Sequence, residues 1–296
     1  MNQFRAGKYH EAAAEFQELV DTSPNYDFGY YMLGLSFLQV KKPADAEKNL
    51  LKAIELNGDK FEYHHALAKT YYDQKQYPKA VAALKTAEGL ATEAKYKYAL
   101  YSLRGLSYSA EEKWADAIED LEEARKIKAS AAVLDRLALA YYELGYNDKA
   151  LPLMRESLKQ TPNTAMQVRL TNTLLNMGAE SRDAAAKAKY YEEAMVLADK
   201  LRTDKPNSAD ANNLAGRAAL GAKKYPQAEA AFKKVLALDS DHCYAMANLG
   251  KTYLAQKKWT DAEGILNDAT KCAPRMDVAW DSLGFALQKQ KRLPDA

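Results

Sequence analysis

The sequence predicts an all-α fold, a solenoid of about eight to nine stacked helix–turn–helix units. Three observations carry that expectation. Nine alanines recur (Ala12, Ala46, Ala80, Ala117, Ala150, Ala194, Ala228, Ala262 and Ala296) at spacings of 34, 34, 37, 33, 44, 34, 34 and 34. Twelve positions before most of them stands a tiny residue: Gly34, Ala68, Gly105, Ala138, Gly216, Gly250 and Gly284. Large residues keep fixed offsets from both. Phe37, Tyr71, Tyr108, Tyr141, Tyr253 and Leu287 follow the tiny residue by three, and Phe16, Leu50, Leu84, Leu121, Met154, Phe232 and Leu266 follow the alanine by four. Self-similarity at such a period marks a repeat architecture.

Within one unit the apolar spacing gives two amphipathic helices of about 13 residues. The tiny residues let the two backbones approach, and the large ones fill the remaining gap. Pro24, Pro162, Pro206 and Pro274 end units, whereas Pro78, Pro226 and Pro294 open second helices. A proline is tolerated at that first position because its missing N–H has no partner there in any case. One hairpin alone cannot bury its apolar face, so neighbours must stack.

Tyr-x2-Leu-Gly-x2-Phe from Tyr30 to Phe37 and Trp-x2-Leu-Gly from Trp280 to Gly284, each followed at the period by Asp-Ala or Lys-Ala pairs, resemble the tetratricopeptide repeat family. The resemblance spans the whole chain. It implies a right-handed superhelix whose first helices line a concave face. On this register the chain divides into an array over 1–164, with repeats at about 1–26, 27–60, 61–94, 98–130 and 131–164, and an array over 165–296. The second array holds an irregular repeat at 165–208, then 209–242, 243–276 and a partial 277–296. The seam between them is the 44-residue spacing, where an insertion around Gly178-Ala179-Glu180-Ser181 lengthens the second helix to about 182–204. There Thr171 and Asn172 occupy places expected for a large apolar and a tiny residue. Decay of the repeat, a hinge and a cleft are all open readings of it.

The register starts mid-way through a first helix and stops just inside a second one. Trp280, Leu283 and Leu287 are therefore expected to lack their covering helix, which points to a fragment, completion by another element, or self-association through that end.

Composition narrows the function. Lys and Arg number 42 against 40 Asp and Glu, a net charge of +2, which argues against nucleic acid as a partner because counterion release needs uncompensated cations. No apolar run approaches the roughly 20 residues of a membrane helix. Met1-Asn2-Gln3-Phe4-Arg5 lacks the apolar core of a signal peptide, yet cytoplasm and periplasm both stay open. Two cysteines, Cys243 and Cys272, make no disulfide framework; small core thiols are the expectation, with a disulfide or a metal site involving His242 as the alternative.

Catalytic constellations are absent from the sequence. The histidines His10, His64, His65 and His242 form no His-Glu-x-x-His arrangement. Gly250-Lys251-Thr252 imitates the end of a phosphate loop, but Ala245 stands where that motif needs glycine. The acidic residues sit at solvent-face spacing. The chain is therefore expected to be no enzyme and to carry no cofactor and no metal.

The family resemblance places the groove at particular first-helix positions: Phe28, Tyr31, Leu35 and Leu38, then His65, Lys69 and Tyr72, then Leu106, Leu139 and Tyr142. Beyond the seam follow Met166, Arg169, Asn213, Arg217, Tyr244, Lys251, Leu254 and Phe285. Tyrosine, present twenty times, offers large area and a hydroxyl at low entropy cost. The apolar N-terminal stretch suits a helix or an apolar segment, and Arg169, Arg217 and Lys251 suit a carboxylate-bearing one. The chaperone-tail clamp of one subclass is matched only by Asn248. Separately, lysines recur at the turns inside the hairpins: Lys8, Lys41-Lys42, Lys75, Lys113, Lys223-Lys224, Lys257-Lys258 and Lys291-Arg292. The opposite edge carries Asp21, Asp27, Asp59, Asp204, Asp239, Asp241 and Asp277. Helix-dipole and capping preferences explain both edges locally; docking of the basic edge on an acidic partner or anionic membrane is the alternative.

The expected function is a non-catalytic scaffold that holds a peptide or helical segment of another protein in its groove. The competing expectation is a regulatory or targeting region of a larger enzyme. The style resembles bacterial members of the family that serve envelope assembly, secretion or pilus machinery.

Overall fold

The computed structural model describes residues 1–291. Among them are seventeen α-helices and no strand. Ala296, Pro294 and Arg292, assigned above to a repeat marker, a helix start and a turn cation, lie outside the described residues.

Two compact units divide the chain, Met1–Gln160 and Thr161–Ala296. Unit 1 is a row of antiparallel hairpins: α1 (Asn2–Arg5) with α2 (Tyr9–Thr22), α3 (Asp27–Gln39) with α4 (Pro43–Leu56), α5 (Phe61–Asp73) with α6 (Tyr77–Thr86), α7 (Ala94–Ala110) with α8 (Trp114–Ile127), and α9 (Ala131–Glu143) with α10 (Asn147–Gln160). Unit 2 continues in the same manner with α11 (Thr164–Glu180) and α12 (Ala184–Asp204), α13 (Ala209–Gly221) and α14 (Tyr225–Leu238), α15 (Cys243–Ala255) and α16 (Trp259–Cys272), then α17 (Asp277–Lys289).

The repeat residues do what their sizes dictate. All eight described marker alanines, from Ala12 to Ala262, are 0% exposed. A methyl group added at Gly34 would meet Leu50 at 2.8 Å, and one at Gly250 would meet Leu266 at 2.4 Å. These are the large residues four places after the marker, so the sequence offsets encode one contact repeated along the stack. Pro43, Pro78 and Pro226 stand in the first turns of second helices. Pro152 departs from that rule and sits inside α10.

Irregular spacings are absorbed by helix length. After α6 a short 3-10 turn (Glu88–Leu90) leads into a 17-residue α7. At the 44-residue spacing both helices grow, α11 to 17 and α12 to 21 residues. Gly178 thus lies inside α11, and the ring of Tyr191 from α12 covers both it and Gly221 of α13; a Cβ at Gly221 would stand 2.2 Å from that ring. Thr171 is fully buried, its hydroxyl donating to the Gln167 carbonyl at 2.8 Å.

The turns inside the hairpins share one backbone solution. Lys42, Gln76, Lys113, Tyr146, Lys224 and Lys258 each donate N–H to the carbonyl five residues back, at 2.8–2.9 Å. This helix-ending motif forces the preceding residue into the left-handed region. Glycine occupies that position at Gly7 and Gly145, but Lys41, Lys75, Glu112, Lys223, Lys257 and Lys291 hold φ of 58–61°. Side chains there cost about 1–2 kcal/mol each. A cation near a helix C-terminus recovers about 0.3–1 kcal/mol, and it does so anywhere in the last turn.

Two features correct the sequence reading. Acidic residues are not confined to solvent faces: Asp120 of α8 is 4% exposed and Arg104 of α7 is 8% exposed. Arg104 donates through Nε and a terminal nitrogen to the two Asp120 oxygens, both at 2.8 Å, and to Glu88 at 3.1 Å. Burial pushes the Asp120 carboxyl up against the pull of Arg104, while its hydrogen bonds to Asp120 push the guanidinium up. The cysteines, expected as core thiols, are instead bonded to each other, with Cα atoms 5.6 Å apart. Cys243 begins α15 and Cys272 ends α16, so the antiparallel pairing brings both to the open end of one hairpin. The Nδ1 of His242 accepts the Ala245 N–H at 3.2 Å and caps α15. No cluster that could hold a metal ion occurs among the described residues, and none of their helices is long and apolar enough to cross a membrane.

Candidate peptide groove

First helices present their non-packing face between successive hairpins, and in unit 1 this creates a cleft of about 970 Å³ across α3, α5 and α7. Its apolar floor is Tyr31, Leu35 and Leu38 of α3, Phe61 and Ala66 of α5 and Ala99 of α7. Aromatic contacts fix that floor. Tyr31 stacks on Tyr63 at 4.7 Å between centroids, Phe61 on His65 at 5.6 Å, and Phe61 meets Tyr96 at 4.8 Å. Tyr63 is itself anchored, its hydroxyl donating to Asp27 at 3.1 Å, while Asn57 holds the same carboxylate oxygen at 2.9 Å.

The rim is charged and, Lys41 apart, internally matched. Lys69 pairs with Asp73 one turn along α5, and the Tyr96 hydroxyl donates to Glu62. Lys95 bonds Glu93 at 3.1 Å and lies 4.5 Å from the Tyr96 ring centre. Burial raises the Glu62 carboxyl, yet the Tyr96 hydroxyl and nearby lysines outweigh it and leave it below its ordinary value. Burial, then the Lys69 charge, pushes His65 down from 6.5, so the imidazole facing the cleft is neutral at pH 7. Tyr31 is pushed up by burial and by Glu62. The cleft is therefore an apolar, aromatic trough with a rim of mixed sign, suited to burying side chains more than to capturing a charge.

Of the residues expected in the groove, Tyr31, Leu35, Leu38, His65 and Lys69 line this cleft. Phe28 packs beside Tyr31 at 6.0 Å without lining it. Tyr72 turns toward Tyr77, 5.5 Å away. Leu106 of α7, and Leu139 and Tyr142 of α9, are half-buried outside it. Arg169, Arg217 and Lys251 belong to unit 2 and are half-buried there. Arg217 donates to Asn172 at 2.9 Å and lines a smaller cleft of about 360 Å³ with Asn213 and Lys205. Burial pushes the Lys251 ammonium down. Met166, expected in the groove, is 2% exposed and belongs to the core.

Glu62, Ala99, Phe61, Lys95 and Tyr96 line the cleft without having been singled out. The signal for Glu62 and Ala99 existed, since both stand two residues before a packing position of their first helix. Lys95 and Tyr96 had none: they reach the cleft because α7 begins early, after the 3-10 turn.

Comparison with known proteins agrees with this architecture. Family models described as tetratricopeptide repeat match residues 31–95 and 180–242, 131–164, and 219–290. The chain is 23% identical over 265 residues to DnaJ homolog subfamily C member 3 of Gallus gallus, covering 87% of this chain and 48% of that protein. It thus spans about half the length of that relative. Among solved structures, the C-terminal part of a TPR repeat-containing protein from Cytophaga hutchinsonii superposes with a TM-score of 0.63 at 19% identity, over 83% of this chain and 96% of that one. MamA from residue 41 to its end, from Desulfovibrio magneticus RS-1, gives 0.51 at 20% identity, over 61% and 97%. At such identities the likeness is one of fold.

Proposed function

The chain belongs to the tetratricopeptide repeat family, and we propose that it is a non-catalytic scaffold holding a partner protein's segment in the groove of unit 1. The observation that carries this reading is the trough formed by Tyr31, Leu35, Phe61, His65 and Tyr96, an open apolar strip between first helices. Apart from Lys41, its rim charges are engaged within the chain, so affinity comes chiefly from side chains placed on the floor. An amphipathic helix with anchors one turn apart, or an extended apolar segment, fits that requirement. Tyr31 and Tyr96 add ring area to the strip, and the Tyr96 hydroxyl bonded to Glu62 marks its polar boundary.

The test is affinity capture with the full chain beside a Tyr31→Ala/Tyr96→Ala variant checked for unchanged helicity and melting. A partner recovered by the parent then has its dissociation constant measured against both. At least a tenfold loss in the variant supports the groove, and equal affinity places recognition elsewhere.

A further inference from the structure

We propose that the lysine-bearing turn edge of unit 2 is a docking surface for anionic lipid. The ends of three successive first helices of this unit, α13, α15 and α17, are followed by lysine at the left-handed position: Lys223, Lys257 and Lys291. The same backbone position in unit 1 is held by Gly7 and Gly145 as well as by Lys41, Lys75 and Glu112; the two glycines show that the fold itself accepts the unstrained residue. A lysine one or two places earlier would serve the helix dipole equally well. The steric cost is therefore incurred three times in a row without a return inside the folded chain, and strain of that kind points to an external role.

The charges are also available. Lys258 is engaged with Glu229 at 3.0 Å, but among the described residues the side chains of Lys223, Lys224, Lys257 and Lys291 hold no ion pair or hydrogen bond. Stacking of α13, α15 and α17 repeats the turn along one edge, where the cations form a row, with Tyr225 and Trp259 immediately following two of the pairs. This edge lines neither the Asn172–Arg217 cleft nor the hollow beside the disulfide. A row of unpaired cations without a pocket matches delocalised negative charge on a surface, whereas a discrete acidic peptide needs a groove to hold its backbone. Near-neutral net charge disfavours nucleic acid. Each lysine near an anionic bilayer contributes additively, and the attraction vanishes within a Debye length as salt rises.

The experiment is co-sedimentation of the full chain with phosphatidylcholine vesicles, with and without phosphatidylserine, at low and high salt. A Lys223→Gly/Lys257→Gly/Lys291→Gly variant and the corresponding triple Gln variant run beside it. The parent is expected to bind only the phosphatidylserine vesicles and to be released by salt. Both variants are expected to bind about a hundredfold more weakly, and the glycine variant to melt no lower than the parent. That combination separates a docking role from a structural one. Absence of parent binding, equal binding to neutral vesicles, parent-like binding by the variants, or a lower melting temperature of the glycine variant would each overturn the proposal. So would capture by a polyglutamate peptide when vesicles fail.

Discussion

The α7–α8 hairpin of unit 1 and the α15–α16 hairpin of unit 2 are each fastened across their two helices by more than apolar packing, and the fasteners differ in kind. In unit 1 the fastener is electrostatic: Arg104 of α7 grips Asp120 of α8 with two hydrogen bonds of 2.8 Å. In unit 2 it is covalent, with Cys243 of α15 bonded to Cys272 of α16. The ion pair lies mid-helix in the packed interior beside Gly105, where both charges have left water. The disulfide lies at the open end of its hairpin and is half exposed. The first therefore fixes register within a core at a desolvation cost, and its energy resides in not being half removed. The second acts chiefly on the unfolded chain by closing a loop, and depends on the surrounding redox conditions.

The largest expected effect comes from breaking the ion pair. Asp120→Ala leaves the buried guanidinium with Glu88 as its one remaining carboxylate and should cost about 3 kcal/mol in denaturant unfolding. The double substitution Arg104→Leu/Asp120→Leu should recover most of that loss; a double variant as unstable as the single one would contradict a pair penalised mainly by its solitary member. Cys243→Ser/Cys272→Ser should cost about 2–4 kcal/mol under non-reducing conditions. Against the reduced parent the same variant should show almost no difference, and amide exchange should localise the loosening to α15 and α16. If reductant leaves the parent unchanged, the covalent fastener contributes nothing and the contrast between units collapses.

Smaller effects refine the picture. Gly221→Ala drives a methyl group into the Tyr191 ring and should destabilise unit 2 by about 1–3 kcal/mol, an effect that Tyr191→Ala in the same chain should largely suppress. At the low end is Glu229, held at about 2 by Lys233, Lys258 and Gln256. A depressed carboxyl contributes stability above its unfolded value of about 4.3, and that contribution disappears as pH falls through about 2. The parent should therefore lose stability more steeply than Glu229→Gln between those limits; parallel acid limbs would show that the lysines are not effective partners.

The contrast also marks what a sequence can disclose. Ala46, Gly34 and Leu50 were legible because one contact is written six times at fixed offsets, and each copy corroborates the others. Asp120 was not, because one carboxylate among many on an amphipathic helix reads as solvated; only the approach of α7 at Gly105 turns it inward. Cys243 and Cys272 sit 29 residues apart, and their meeting depends on two helix lengths and a turn acting together. In the groove, Tyr31 and His65 followed from the repeat register. Tyr96 did not, because α7 starts one turn earlier than the period requires.

The covalent closure of the α15–α16 hairpin has a mechanical consequence. A solenoid pulled from its two ends unravels hairpin by hairpin, and each released residue lengthens the chain by roughly 3.3–3.6 Å. With the disulfide intact, force passes from Cys243 to Cys272 through the sulfur bridge, and the intervening segment never bears load. Roughly 100 Å of contour length stays hidden until a reductant arrives. The same stretching trace would then show one additional extension step, making this hairpin a chemically gated stop within unit 2.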